Sequence, residues 1–174
     1  MPSDRSQPSP WQQALASAIT EPGELLELLG LPPSLLAGAA GALEQFPLRV
    51  PRGFAALMTP GDPADPLLLQ VLPLAAELEA VAGYSTDPVG DRAAISAQGL
   101  LQKYQGRALL LTTGACALHC RYCFRRHFAY NEHQGLSEQW RSSLEQLRRS
   151  ATPELVLSGG DPLSLSNRRL QALL

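Results

Sequence analysis

Lysine is nearly absent from this chain of 174 residues: Lys103 is the only one, against thirteen arginines. Any reaction that needs a lysine to form a Schiff base must therefore use Lys103 or a residue outside this chain. Acidic and basic residues almost cancel, with a formal net charge of -2, so the composition gives no electrostatic reason to expect binding to nucleic acid or to an anionic membrane. No run of about 18 apolar residues is present, and the sequence predicts no transmembrane helix.

The amino-terminal residues MPSDRSQPSP are polar and rich in proline and serine. They lack the basic and then apolar layout of a signal peptide, so we expect a cytoplasmic protein. Cysteine is also scarce, and a small cluster of thiols that must stay reduced agrees with that compartment.

All three cysteines lie in one short segment, Cys116-Ala-Leu-His-Cys120-Arg-Tyr-Cys123. A structural zinc site needs four ligands, and a disulfide framework needs an even number of cysteines. Three thiolates suit a cubane iron–sulfur cluster in which one iron is left open for a substrate or cofactor. Two alternatives stay open at this point: three free thiols, or a zinc ion with a histidine as its fourth ligand, from His119, His127 or His133.

The first half of the chain reads as a helical region over residues 10–95, after a disordered tail at residues 1–9. Ser9-Pro10 predicts a helix start with proline at its first position, and a second helix is expected between Thr20 and Gly30. Further helices are predicted over residues 33–43, 53–58 and 66–72. Residues 80–98 read as an irregular connector with several turn signals, and we place a domain boundary near residue 95.

The pattern changes to alternating strands and helices over residues 96–174. Two short apolar runs, residues 108–113 and 154–158, are typical of buried parallel strands. A helix capped by Ser137 is predicted between them, with Trp140, Leu144 and Leu147 on one face, and a last helix begins at Ser166. This order predicts an α/β fold built on βα units. The loops that follow the two strands should lie side by side, because sites gather at the carboxyl ends of parallel strands.

The cysteine motif, with an aromatic residue before its last cysteine (Tyr122-Cys123), follows the first of these strands and resembles the radical S-adenosylmethionine superfamily. Gly159-Gly160-Asp161 resembles the glycine-rich motif after the second strand of that superfamily. Three segments narrow the resemblance to the lysine 2,3-aminomutase family: residues 101–107, 120–128 and 158–163. Upstream segments at residues 48–52, 65–72 and 83–88 are similar to the branch that forms (R)-β-lysine for modification of elongation factor P. The resemblance extends from about residue 10 to the end of the chain.

The resemblance implies a role for each matching position. Cys116, Cys120 and Cys123 would hold a 4Fe-4S cluster, whose open iron binds S-adenosylmethionine. Tyr122, Gly159, Gly160 and Asp161 would contact S-adenosylmethionine. Arg125 would bind the carboxylate of the substrate, a task suited to a planar guanidinium. Tyr104 and Arg107 would lie near pyridoxal 5'-phosphate, and Lys103 occupies a position where the family can carry a basic residue. Arg121, His119 and His127 are expected to be structural.

The fold that the resemblance implies is a helical region followed by the first βα units of a (β/α)6 barrel, here as the amino-terminal part of a longer enzyme. The reaction it implies moves the α-amine of L-lysine to the β position, after a 5′-deoxyadenosyl radical has taken a hydrogen atom from the substrate. The partners it implies are lysine and a redox protein that reduces the cluster. The Schiff-base lysine of the family would lie outside this chain, so we expect the 174 residues alone to be inactive. A radical enzyme without pyridoxal phosphate and a zinc-binding module are the alternatives.

Overall fold

The computed structural model describes residues 9–133, 139–150 and 152–173, which form two compact units. The first unit comprises the residues up to Val81 together with Ala117–Cys123, and the second comprises Ala82–Cys116 and Phe124–Leu174. The predicted tail at residues 1–8 and the predicted cap Ser137 lie outside the described residues. None of the helices in the described ranges is long and apolar enough to cross a membrane.

The first unit is a small helical assembly around one apolar core. Its helices are α1 (Pro10–Ala16), α2 (Pro22–Leu28), α3 (Ala40–Gln45) and α4 (Arg52–Ala55), joined by 3-10 turns at Pro33–Leu36, Leu68–Gln70 and Ala75–Leu78. The helix starts predicted at Pro10 and after Thr20 are confirmed, and α2 ends just before Gly30, which has a positive φ of 64°. Burial of apolar side chains stabilises this unit; the core is formed by Ile19, Leu25, Leu26, Leu29, Leu31, Leu48, Val50, Ala55, Met58, Leu68, Val71 and Leu72.

Three of the predicted helices differ from the structure. The helix expected over residues 33–43 is wrong as one element, because Gly38 has a φ of 75° and a right-handed helix cannot continue through that conformation. The segment instead forms the 3-10 turn Pro33–Leu36 and the separate helix α3. The helix expected over residues 53–58 is the shorter α4, and the one over 66–72 is only the 3-10 turn Leu68–Gln70.

Arg121 anchors the segment Ala117–Cys123 within the first unit. Its guanidinium is buried and donates to both carboxylate oxygens of Glu77, with Nη2 2.7 Å from Oε2. Nη1 and Nη2 also donate to the carbonyls of Phe46 and Ala42, at 2.5 and 3.0 Å. These contacts agree with the structural role expected for Arg121, since they use the planar fork of the side chain rather than presenting it to a ligand.

Replacement of Arg121 by methionine should lower the free energy of unfolding of the first unit by about 3–5 kcal/mol, because it removes the buried cation that pairs with the half-buried Glu77 carboxylate. Urea denaturation of the chain measures this. The matched control is Arg52→Met, which breaks the exposed ion pair between Arg52 and Glu24 and should cost less than about 1 kcal/mol. Equal losses in the two variants would contradict the structural role of Arg121.

The second unit contains an open four-stranded sheet. Its strands are β1 (Ile95–Ala97), β2 (Leu100–Tyr104), β3 (Arg107–Thr113) and β4 (Glu154–Gly159), arranged in the order β1-β2-β3-β4. The helices of this unit are α5 (Tyr130–His133), α6 (Gln139–Arg149) and α7 (Asn167–Leu173). The two predicted strands are confirmed as β3 and β4, which pair in parallel. Leu144 and Leu147 of α6 pack on the sheet core, as their spacing predicts.

The antiparallel pairing of β1, β2 and β3 was not predicted. Strand β1 lies in the segment read as an irregular connector, and it pairs antiparallel with β2, which pairs antiparallel with β3. The tight turn between β2 and β3 is Gln105-Gly106, with Gly106 at a φ of 73°, a conformation that favours glycine. The sheet is therefore mixed, because β1, β2 and β3 pair antiparallel and β4 pairs with β3 in parallel. Together with the helices, it gives the second unit an α/β architecture.

Candidate functional site

The carboxyl ends of β3 and β4 bring the two sequence motifs together. Thr113 at the end of β3 is the register partner of Gly159 at the end of β4. Just beyond, the Gly160 amide donates to the carbonyl of Thr113 at 2.7 Å, and the Asp161 amide donates to that of Ala115 at 2.8 Å. The prediction that the glycine motif lies beside the start of the cysteine loop is confirmed.

The two glycines are needed by this close approach. Gly159 has a φ of 124°, and a Cβ atom there would overlap the carbonyl oxygen of Thr113. A Cβ atom on Gly160 would overlap the carbonyl oxygen of Ala115 and lie 2.9 Å from Sγ of Cys116. The glycines therefore leave room beside the thiol. Asp161 closes the turn, where its Oδ1 accepts from the Leu163 amide at 2.9 Å.

Cys116, Cys120 and Cys123 form no disulfide and are half-buried. The Cys123 amide donates to the carbonyl of Cys120 at 3.1 Å, so the last four residues of the motif form a turn. No group of three His, Cys, Asp or Glu side chains is arranged as a metal site within the ranges that the structure describes. Three thiols within eight residues of the sequence are nevertheless a donor set that suits an iron–sulfur cluster. Within the second unit, Gly160 leaves space beside the Cys116 thiol that a side chain would fill.

His119 and Tyr122 are held by neighbours in the first unit. The His119 ring stacks on Phe46 with 4.8 Å between centroids, and its Nδ1 is 2.9 Å from the carbonyl of Pro47. Burial lowers the pKa of His119. The exposed Tyr122 hydroxyl donates to Oε1 of Gln70 at 3.1 Å, and its interaction with the Cys120 thiol raises the pKa of the phenol.

A cavity of about 290 Å³ in the second unit collects the other predicted positions. Arg107 at the start of β3 and the last residues of β2, Lys103 and Tyr104, form part of its wall, and Arg125 forms another part. The remaining lining residues are Val89, Asp91, Leu101, Ala108, Leu109, Phe124 and Val156. The antiparallel hairpin and the segment after Cys123 thus bring together three cationic side chains that the sequence places up to 22 positions apart.

Two of the cations in this cavity share one buried carboxylate that was not predicted. Asp91 is 2% exposed, and its Oδ1 lies 2.5 Å from Nζ of Lys103 while its Oδ2 lies 2.6 Å from Nε of Arg125. Arg125 also donates from Nη1 to the Ser158 hydroxyl at 2.7 Å. The sequence marked Gly90-Asp91 only as a turn. The one available signal was an acidic residue in that turn, near the single lysine of the chain.

Arg107 pairs with Glu154 at the more exposed side of the second unit, with 2.6 Å between Nε and Oε2. Both side chains are about half exposed, so the pair contributes little to stability. It leaves the guanidinium accessible to an anion that competes with Glu154.

Asp91 should contribute stability that disappears in acid. Burial by itself raises the pKa of its carboxyl, but the hydrogen bonds and charges of Lys103 and Arg125 more than offset this and hold the pKa below its usual range. A carboxylate with a lowered pKa stabilises the folded state above its unfolded pKa of about 3.9 and loses that contribution as the pH falls.

We therefore expect Asp91→Asn to lower the free energy of unfolding by about 3 kcal/mol at neutral pH, because it leaves the buried Arg125 guanidinium without its counter-charge. The gap between the variant and the wild type should narrow as the pH falls below about 4. Denaturant unfolding from pH 7 to pH 3 measures both curves. A gap that stays constant over this range would show that Asp91 is not ionised in the folded protein.

The comparisons with known proteins agree with the iron–sulfur chemistry that the three cysteines suggest. Residues 104–174 are similar to a family described as a 4Fe-4S single cluster domain. The chain is 47% identical to an L-lysine 2,3-aminomutase of Escherichia coli over 169 residues, which is 94% of this chain and 48% of that relative. The enzyme of the same name from Haemophilus influenzae is 39% identical over 165 residues, 94% of the chain and 49% of the relative.

A more distant L-lysine 2,3-aminomutase, from Clostridium subterminale, is 28% identical over 94% of the chain and 40% of its own length. Along almost all of its residues the chain is homologous to the lysine 2,3-aminomutase family. It spans about half of the length of the curated relatives that it matches.

Proposed function

We propose that this chain is part of a radical S-adenosylmethionine aminomutase that converts L-lysine to β-lysine. The observation that carries the proposal is the cavity of the second unit, which brings Lys103, Tyr104, Arg107 and Arg125 together. Three cations are paired with two carboxylates, Asp91 and Glu154, so one positive charge remains in excess and suits anionic ligands. A substrate carboxylate and a cofactor phosphate are both anions, and they are the ligands that the homologous family would place here.

In this proposal Cys116, Cys120 and Cys123 hold a 4Fe-4S cluster with one iron open for S-adenosylmethionine. Such a cluster, when bound and reduced, would supply the one electron needed to cleave S-adenosylmethionine into methionine and a 5′-deoxyadenosyl radical. The turn formed by Gly159, Gly160 and Asp161 supports the binding of S-adenosylmethionine, because its main chain lies beside Cys116 and carries no side chains at the two glycines. Tyr122 is proposed as a further contact of that ligand.

Arg125 binds the amino-acid carboxylate in this account, and Arg107 and Tyr104 bind pyridoxal 5'-phosphate. Lys103 is an unsuitable Schiff-base amine, because its ammonium is paired with Asp91 and also donates to the carbonyl of Val89 at 2.5 Å. The amine that carries pyridoxal phosphate is therefore expected outside these 174 residues. For the same reason, we do not expect the 174 residues alone to convert lysine.

The finer parts of the proposal rest on the sequence resemblance. They are formation of (R)-β-lysine for elongation factor P, a cytoplasmic location, a redox partner that reduces the cluster, and a helical region at residues 10–95 before the first units of a (β/α)6 barrel at residues 96–174. The open sheet with one parallel pair is compatible with such a barrel start.

The test with the sharpest outcome is binding of pyridoxal 5'-phosphate to the complete protein that carries this sequence, followed by its absorbance. Arg107→Met should weaken binding on the order of tenfold, since it removes a charge-assisted contact to the phosphate. The matched control is Arg52→Met, which removes an exposed arginine of the first unit and should leave binding unchanged. Binding that is absent, or unaffected by Arg107→Met, would instead favour a radical enzyme without pyridoxal phosphate.

The activity itself is tested in the complete protein that carries this sequence, reconstituted anaerobically with iron, sulfide, S-adenosylmethionine and pyridoxal phosphate. L-lysine should be converted to β-lysine, and chiral chromatography of the product distinguishes the (R) form. Failure to convert lysine while S-adenosylmethionine is still cleaved would show that the substrate is another amine.

A further inference from the structure

The cavity contains a carboxylate for which neither the resemblance nor the comparisons give a role. Asp91 lies in its wall with both oxygens engaged, Oδ1 by Lys103 and Oδ2 by Arg125. A carboxylate so close to the cation that should receive a substrate carboxylate needs an explanation. A negative charge at this place weakens the attraction of an anionic ligand unless it serves another purpose.

Asp91 is itself fixed by the turn in which it lies. Its amide donates to Oδ1 of Asp87 at 2.8 Å, and the amide of Arg92 donates to Oδ2 of the same residue at 3.1 Å. The carboxylate of Asp87 thereby holds the main chain that carries Asp91. Asp91 is a rigid acceptor as a result, rather than an exposed side chain that happens to meet two cations.

Arg125 is held on two edges and one face. Nε donates to Asp91, Nη1 donates to the Ser158 hydroxyl, and the guanidinium carbon lies 4.8 Å from the centroid of the Phe124 ring. Among the described residues, two of its five N–H donors are engaged in this way. The other three are on the terminal nitrogens, which form the end of the guanidinium that can receive a carboxylate in a bidentate manner.

Lys103 gains a similar restraint from the other oxygen of Asp91 and from the carbonyl of Val89. Without the carboxylate between them, Lys103 and Arg125 would be two like charges in one cavity and would move apart. Asp91 thus holds the two cations near one another at defined places, each on its own carboxylate oxygen.

We propose that Asp91 is a positioning residue for ligand binding: it holds Arg125 by Nε and Lys103 by its ammonium, so that the terminal N–H groups of Arg125 receive the carboxylate of an amino acid. The identity of that ligand rests on the proposed function, while the restraint on Arg125 does not. An ordinary ion pair that only stabilises the fold is the rival explanation.

The test is nuclear magnetic resonance of the arginine side chains in the chain, with the Nε–H resonance of Arg125 assigned by its loss in Arg125→Lys. In the wild type this proton should exchange slowly with water and show a scalar coupling across the hydrogen bond to the Asp91 carboxyl carbon. Asp91→Asn should accelerate its exchange on the order of tenfold, because the charged acceptor is lost. Asp91→Glu should restore most of the protection. The matched control Ser158→Ala removes the Nη1 contact and should leave the Nε proton protected.

The ligand arm uses L-lysine and cadaverine, which lacks the carboxylate. L-lysine should shift the Arg125 resonances of the wild type, cadaverine should not, and Asp91→Asn should weaken the L-lysine effect on the order of tenfold. In the complete enzyme the same variant should raise the KM for lysine more than it lowers kcat, with recovery in Asp91→Glu.

An Nε proton that exchanges freely in the wild type, or equally slowly in Asp91→Asn, overturns the proposal. If Asp91→Asn does not fold, the scalar coupling between the Arg125 Nε–H group and the Asp91 carboxyl carbon in the wild type is the deciding measurement. Absence of that coupling would contradict the proposal. Protection of Nε together with no response to L-lysine supports the positioning of Arg125 and overturns the amino-acid ligand, which belongs to the proposed function.

Discussion

Replacement of Gly159 by alanine is expected to destabilise the second unit by about 4 kcal/mol, with backbone strain and overpacking contributing about 2 kcal/mol each. The φ of 124° is one that residues with a Cβ atom rarely adopt, and it costs of order 1–3 kcal/mol. The added Cβ would also overlap the Thr113 carbonyl oxygen and lie 3.2 Å from the Thr113 carbonyl carbon. Neither backbone can yield easily, because β3 and β4 pair in parallel along this line.

Hydrogen exchange of the β3 and β4 amides measures this effect within the second unit alone. The matched control is Gly53→Ala in α4, where a Cβ atom meets nothing within 4 Å; it should change stability by no more than about 1 kcal/mol. Protection of β3 that is the same in Gly159→Ala and in Gly53→Ala would contradict the packing of the glycine motif described above.

Replacement of Cys120 by alanine is expected to abolish cluster assembly, which is the largest effect of any single substitution in the account. Two thiolates cannot hold three irons of a cubane, and each ligating thiolate must be supplied by the protein. After anaerobic reconstitution with iron and sulfide, the wild type should show a broad visible absorbance, and the variant should show none. A variant that keeps the absorbance would mean that Cys120 is not a ligand.

The matched control for this experiment is His119→Gln, which separates the iron–sulfur cluster from a zinc site. If the three cysteines hold a cluster, the variant should keep its absorbance and its iron content. If the site binds zinc, a histidine would be a candidate for the fourth ligand, and the metal-bound protein would be colourless. Loss of bound metal in His119→Gln would therefore support the zinc module instead.

The core of the sheet could be predicted from the sequence because local signals were strong. The apolar runs of β3 and β4 are short and end at glycines, and the parallel order followed from the helix between them. The contact between the glycine motif and Cys116 then followed from the topology alone. These elements bear on the radical-generating end of the proposed site.

The remainder depended on pairings between residues distant in the sequence. Strand β1 has only three residues and no clear alternation, so nothing local marked it as the partner of β2. The role of Glu77 could not be predicted, because its partner Arg121 lies 44 positions later in the sequence. The role of Asp91 could not be predicted for the same reason, since its two partners, Lys103 and Arg125, lie far from it in the sequence.

The residues that line the cavity show how a site predicted by resemblance depends on pairings that were not predicted. Tyr104 and Arg107 were expected near one ligand and Arg125 near another, on the basis of family resemblance. Their convergence on one cavity depends on the hairpin of β2 and β3, which was not predicted. The resemblance supplied the residues, and the tertiary structure supplied the reason that they can act together.

The central claim, a cluster whose open iron binds S-adenosylmethionine, is tested most directly by electron paramagnetic resonance of the reconstituted and reduced chain, with iron and zinc counted in the same sample. We expect about four irons per chain and a spectrum of the reduced cluster that changes when S-adenosylmethionine is added. One zinc per chain without iron, or a cluster spectrum that is indifferent to S-adenosylmethionine, would contradict it.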